Sequence, residues 1–335
     1  MAVTITDRKS NKYKKIEWKK LIFYIGLIIF PVLQYLIFSI AVNFNSVIMS
    51  FQRFEYVKEI DDYVSVFVGF DNFKDAFTDF FTLHKYDQML INSTIAYLSS
   101  IIITTPLALL FSFYIFKKFR GAKIFRTILF MPTIISTVIL AYVFNLFGET
   151  LFPAIVHKLF YSNRMTFLEF EANSNLYKSY QLMGLGLPNT FPSLIFYHVF
   201  MGFGTNVLLY SGAMSSIDPS TIEAAKIDGC SDWKEFIHII LPGVYPTIVS
   251  FIVVGIGTFF TQKLAIYDIY GKAAQGTSIE TIGYYLYSET VAADGGLGKY
   301  ASYPYLSTLG VIFTCIVTPI SFLVRHLLEK YGPSK

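Results

Sequence analysis

Six stretches of this chain are long, apolar and free of aspartate, glutamate, lysine and arginine: Leu21 to Ala41, Met89 to Phe116, Thr127 to Phe147, Phe191 to Gly212, Gly243 to Gln262 and Tyr303 to Val324. A run of about 20 such residues is the length that crosses a bilayer, where every backbone N–H and C=O needs an internal partner and only helices and closed barrels supply them. The short alternating segments of a barrel are absent. The chain is therefore expected to be an all-α integral membrane protein with six transmembrane helices. With 54% hydrophobic and 15% charged residues, it falls below the roughly one quarter of charged residues typical of a soluble domain.

The first run follows a basic segment, as a cleaved leader would. It is longer than the usual leader core of about 7–15 residues, and no small-residue cleavage site follows at Val42 to Ser46, so an uncleaved first helix is expected. Of the 27 lysines and arginines, 17 fall before the first run, in Lys117 to Arg126, in Ala213 to Pro242 and after Val324. The positive-inside rule then places both termini, and the stretch 213–242, in the cytoplasm.

Cys230 falls in that cytoplasmic stretch and Cys315 in the last apolar run, so the two are expected to be reduced and structural. On the other face, 42–88 and 148–190 are too long for simple hairpin connections, and the latter ends in the turn residues Gly184, Gly186 and Pro188. Packing over the helix ends and contact with a partner are both compatible with them. In 267–302, Thr277 precedes Glu280 by three residues, a capping-box pattern, and Ile279, Ile282 and Leu286 share a face. A short amphipathic helix lying on the outer surface is expected there.

The cytoplasmic stretch contains EAAKIDGCSDWKEFIHIILP at 223–242. Asp218 suits an N-cap, Pro219 the first helical position and Gly229 the left-handed residue that ends a helix. Asp232 and Glu235 resemble a second cap before Trp233, Phe236, Ile237 and Ile240, with Pro242 introducing the next span. The expected result is a bent pair of helices with Gly229 at the corner. Ala224 and Ala225 would admit a close backbone and Glu223 would offer a carboxylate, features shared by a docking helix and by a helix that merely caps the surface.

The spacing Glu223-Ala224-Ala225, Gly229, Ile239, Leu241-Pro242 resembles the EAA signature of permease subunits in binding-protein-dependent ABC importers. Other segments resemble the sugar-permease branch of the maltose-system type: Val68 to Phe73 (VGFDNF), Asn92-Ser93-Thr94, and Phe125 to Pro132 (FRTILFMP). The resemblance covers about residues 65–328; Ala273 to Thr277 departs from the family's TGGP-like outer segment. It implies the type I ABC importer permease fold: a basic tail 1–20, a first helix 21–41, an extracytoplasmic segment 42–88, a core 89–326 with five more helices and the EAA loop 213–242, and a tail 327–335. It also implies that Glu223, Ala224, Ala225, Gly229, Ile239, Leu241 and Pro242 couple the chain to an ATPase. The implied partners are a second homologous permease, an ATPase homodimer or pair that binds ATP and Mg, an extracytoplasmic solute-binding protein or lipoprotein and membrane lipid, without nucleic acid. The implied location is the bacterial cell membrane.

Chemistry of its own is not expected. No GxxxxGK[ST] loop is present, because Gly298-Lys299 is followed by Tyr300 and position 293 is Ala293. His84, His157, His198, His238 and His326 lack metal-ligand spacing, so neither a metal nor a cofactor is expected in this chain. Coupled secondary transporters place ionisable groups in their spans, where only His198 is found here; a membrane-embedded enzyme lacks reactive groups for the same reason. A path for a neutral carbohydrate needs aromatic platforms and a few amides or hydroxyls, and Asn206, Tyr210, Phe259, Phe260 and Gln262 offer that mixture. Helix packing or lipid contact is the weightier account of each aromatic residue in a chain with 34 Phe and 24 Tyr, as close packing is of Gly255 and Gly257. A di- or oligosaccharide is the expected cargo. A phosphorylated polyol is the alternative, and would call on a cation such as Lys263.

Overall fold

The computed structural model describes residues 18–58, 62–161, 164–173, 190–291 and 299–333. The turn residues Gly184, Gly186 and Pro188 and most of the basic tail lie outside them. Among the described residues, six helices are long and apolar enough to cross a membrane: Phe23–Met49, Asp87–Phe116, Thr137–Tyr161, Phe191–Ser215, Asp232–Gly257 and Ser302–Tyr331. They are called the first to sixth spans below. The first has no buried residue in its apolar window and stands at the periphery.

The third span departs from expectation. The apolar run 127–147 is divided between a helix Ala122–Ile134 and the span that begins at Thr137. Pro132 removes one rung of the ladder within the first helix. Ile135 (ψ 144°) and Ser136 (ψ 133°) then leave helical conformation, and Thr137 starts anew.

The fifth span also begins earlier than the sequence suggests. Asp232–Glu235 is not a separate helix but runs through a π-helical turn, Phe236–Ile240, into Leu241–Gly257. The wider π turn precedes Pro242, where a tight helix would press the ring against the preceding carbonyl. At its far end the span stops at Gly257, and Phe259–Thr261 forms a 3-10 turn outside it.

The later spans interlock through side chains that reach backbone carbonyls. Ser112 Oγ donates to Val207 O at 2.9 Å, Tyr97 Oη to Ile252 O at 3.3 Å and Tyr245 Oη to Leu328 O at 2.9 Å. Such bonds replace the hydrophobic drive that helices lose in lipid. One buried cluster, containing Ala108, Val207, Tyr210, Met214, Phe236 and Val244, joins the second, fourth and fifth spans.

Between the first two spans, strands Gln52–Val57 (β1) and Asp62–Phe67 (β2) pair antiparallel, with Tyr56 opposite Tyr63. The helix Asp71–Phe81 follows. Buried Asn72, from the VGFDNF segment, donates to Ser50 O (3.0 Å) and Gln52 O (2.7 Å), fixing the hairpin to this helix.

Candidate coupling segment and membrane cavity

Asp218 Oδ1 accepts from Ser220 N at 2.9 Å and caps the helix Pro219–Ile227. The backbone bond that it accepts from Ser220 holds the Asp218 carboxyl below its ordinary pKa. At the other end Cys230 N donates to Ala225 O (2.9 Å) and Gly229 N to Lys226 O (3.1 Å), the two bonds of a Schellman ending. Gly229 has φ +74°, which a side chain would strain. Glu223, Ala224 and Ile227 are exposed, whereas Ala225 is buried, so the helix presents one face outward. Ile239, Leu241 and Pro242 lie half-buried in the adjoining fifth span.

Asp232 and Glu235 do not form the second cap that their spacing suggested. Ser231 occupies the cap position, and both carboxylates instead bind Lys117, just beyond the second span: Nζ lies 2.7 Å from Asp232 Oδ1 and 2.8 Å from Glu235 Oε2. The Glu235 side chain is 1% exposed and that of Lys117 13%. Desolvation lowers the lysine pKa, but the hydrogen bonds and charges of Asp232 and Glu235 outweigh it and raise the pKa above the ordinary value. This bridge ties the second span to the segment that follows the Gly229 corner. Its signal in the sequence is the unpaired cation at the end of one apolar run and the acidic pair at the start of another.

On the opposite side, the chain from 258 to 291 folds back between the spans. Asn92 Nδ2 donates to Ser278 O (2.9 Å) and Glu280 O (2.7 Å), while Ser93 Oγ accepts from Ile282 N (3.2 Å). The expected capping box at Thr277 is not formed: Thr277 Oγ donates to Ala274 O, and Thr281 Oγ accepts from Tyr284 N as it donates to Gln262 O. The helix is Ile282–Val291, and its first turn is buried rather than laid on the surface. Gly283 lets it approach: a Cβ there would come within 2.5–2.6 Å of backbone atoms of Thr261 and Gln262.

A cavity of about 110 Å³ lies beside this segment, its lining including Ser100, Thr105, Asn206, Thr258, Phe259 and Gln262. His198 accompanies it, with Nε2 2.9 Å from Ser100 Oγ and 3.2 Å from Gln262 Nε2. Of the expected path residues, Asn206, Phe259 and Gln262 thus come together. Tyr210 does not join them: it is fully buried, edge-on to Phe251 at 5.1 Å, in the cluster with Met214 and Phe236. Phe260 points elsewhere and stacks on Phe313 at 4.0 Å, because successive residues of the 3-10 turn diverge. Gly255 acts in packing, against the Tyr97 ring. Ser100, Thr105 and Thr258 are polar lining residues that the sequence did not single out, and His198, noted there as the ionisable group of the spans, was not placed on the path. Among the described residues no group of His, Cys, Asp and Glu is arranged to hold a metal, and Cys230 and Cys315 are both free thiols.

The model of a family described as binding-protein-dependent transport system inner membrane component matches residues 104–332. The arabinooligosaccharides transport system permease protein AraP of Bacillus subtilis (strain 168) is 24% identical over 306 residues, 90% of this chain and 86% of its own length. The sn-glycerol-3-phosphate transport system permease protein UgpA of Shigella dysenteriae serotype 1 (strain Sd197) is 26% identical over 226 residues, 67% of this chain and 70% of its own length. In fold, the chain resembles one from the crystal structure of a bacterial alginate ABC transporter in complex with an alginate pentasaccharide-bound periplasmic protein. The TM-score is 0.64 at 17% identity, over 95% of this chain and 99% of that one.

Proposed function

The chain belongs to the binding-protein-dependent transport system inner membrane component family, the membrane-spanning permeases of ABC importers, and from that premise we propose that it passes a neutral di- or oligosaccharide. It is a multi-pass membrane protein of the type I importer fold and a transport subunit, not an enzyme. In this reading it pairs with a second permease, receives solute from an extracytoplasmic binding protein and is driven by separate ATPase subunits that bind ATP and Mg. Glu223, Ala224 and the Gly229 corner face the ATPase, with the buried Ala225 and the half-buried Ile239, Leu241 and Pro242 behind them, and both termini lie in the cytoplasm.

The observation that carries the cargo class is the chemistry of the cavity wall and not its size, since about 110 Å³ is smaller than a disaccharide: hydroxyls, amides and the Phe259 ring line it, with no lysine, arginine or carboxylate among its lining residues. That chemistry suits hydroxyl edges and apolar sugar faces better than an ion. The similarity to AraP supports the same class. The similarity to UgpA favours the second reading, a phosphorylated polyol, but the candidate cation, Lys263, sits over the Tyr287 ring at 3.5 Å and is not among the lining residues.

Reconstitution with the three kinds of partner tests the reading. ATP hydrolysis should rise with a saccharide-loaded binding protein, and Gln262→Leu should weaken uptake without preventing assembly. Stimulation by a phosphorylated solute or an amino acid alone overturns the cargo. Gly229→Val should insert normally and abolish the stimulation. Cys230 should react with an impermeant thiol reagent in inside-out vesicles and not in intact cells; labelling of cells reverses the orientation.

A further inference from the structure

Beside the EAA helix lies a cleft of about 1190 Å³, whose lining shares no residue with that of the membrane cavity. Its wall carries Lys118, Arg120, Lys123 and Arg126 from the elbow after the second span, and Lys226 from the EAA helix. Lys117 is neutralised by Asp232 and Glu235, but no ion pair engages these five cations among the described residues. Glu223 and the already bonded Glu235 are the carboxylates of the lining. The cleft therefore carries an excess of positive charge, at the level where a spanning helix begins.

An apolar ridge continues from that charge. Ile124, itself in the cleft wall, is 68% exposed; Ile128 and Met131, four and seven residues on, are each 60% exposed on the same face of the helix Ala122–Ile134. Cations at the base of an exposed apolar helix face match a molecule with an anionic head and a hydrocarbon body. A soluble acidic protein surface would satisfy the cations and leave the ridge uncovered.

We propose that this cleft binds the headgroup of an anionic phospholipid, whose acyl chains lie along Ile124, Ile128 and Met131. Basic pockets between transmembrane helices select acidic headgroups by charge, and the attraction adds up over successive lysines and arginines. The site does not depend on the identity of the cargo.

Native mass spectrometry of the full-length chain, released from detergent with phosphatidylglycerol or phosphatidylcholine, provides the test. Wild type should retain phosphatidylglycerol preferentially. The variant Lys118→Gln/Arg120→Gln/Lys123→Gln/Arg126→Gln should lose that preference by about tenfold or more, while the charge-keeping Lys123→Arg/Arg126→Lys keeps it. Ile124→Asn/Ile128→Asn should weaken lipid retention and leave binding of inorganic phosphate unchanged. Should the quadruple variant fail to fold, sodium chloride titrated against wild type decides, since retention of phosphatidylglycerol must fall with salt. Equal retention of both lipids, or retention indifferent to salt and to the four substitutions, overturns the site. So does a quadruple variant that keeps its lipid but no longer binds the ATPase, which would make the cleft a protein interface.

Discussion

Two irregular segments are fastened to the spans at opposite ends of this molecule, and by different chemistry. The EAA segment is held by charge, through one lysine and two carboxylates, one of them 1% exposed. The folded-back segment 258–291 is held to the second span by the neutral amide of Asn92 and hydroxyl of Ser93, whose bonds land on backbone atoms. A backbone bond fixes the path of the chain, so the outer clamp sets where Gln262 stands in the cavity wall. A bridge between side chains joins two helices at a point while leaving each free to tilt, which suits a segment that receives motion from elsewhere. The two also fail differently: half of an ion pair is a stranded charge, whereas a lost amide leaves carbonyls that are only underused.

The largest expected effect is at the charged end. Lys117→Met removes the cation from a Glu235 carboxyl group that water scarcely reaches, a loss of about 3–5 kcal/mol by analogy with broken buried pairs. The melting temperature in detergent should fall accordingly, and Lys117→Met/Glu235→Met should recover most of it because an apolar pair leaves no stranded charge. A double variant no more stable than the single one would mean that packing, and not charge, makes this link.

Gly283→Ala is the matching blow to the neutral end. Its Cβ would meet backbone on which no side chain can yield, so the helix Ile282–Val291 must shift at about 1–3 kcal/mol, the usual cost of overpacking. Hydrogen exchange over 278–291 should rise while that of 219–235 is unchanged. Spread of the change to the EAA segment would break the separation of the two ends. Asn92→Leu should cost less, at most about 1 kcal/mol for each of the two bonds it donates to the folded-back segment, and confine its exchange signature to the same residues.

The features that the sequence revealed were local ones. Asp218, Pro219 and Gly229 act within a turn of themselves, so the cap and the corner of the EAA helix could be read from composition alone. Asp232 and Glu235 misled because their partner is Lys117, 118 positions from Glu235, and an acidic pair at cap spacing looks the same with or without it. Asn92 finds Glu280 across 188 positions, and the hydroxyl that accepts from the first turn of the helix is Thr281, not Thr277. The third span was misplaced because hydropathy does not register a break between two apolar helices. Phe259 and Phe260 are chemically alike and adjacent, and only the 3-10 turn sends one to the cavity and the other to Phe313.

The smallest expected effect is the response to pH, and it separates the two ends without perturbing either. Lys117 is held above its ordinary value of 10.5 in the folded protein. A lysine that binds its proton more tightly when folded contributes stability in full below the unfolded pKa, and loses it only as pH rises through the folded one. From about pH 7 to pH 9, this site should therefore leave the wild-type melting temperature flat, and a decline should begin only above the ordinary lysine range. Lys117→Met should abolish the share of that alkaline decline that comes from the bridge. Asn92→Leu should lower the whole curve and keep its shape, since neither Asn92 nor Ser93 nor Thr281 titrates. An alkaline limb unchanged by Lys117→Met would show that the bridge holds no stabilising proton, and the contrast between a charged and a neutral fastening would then rest on geometry alone.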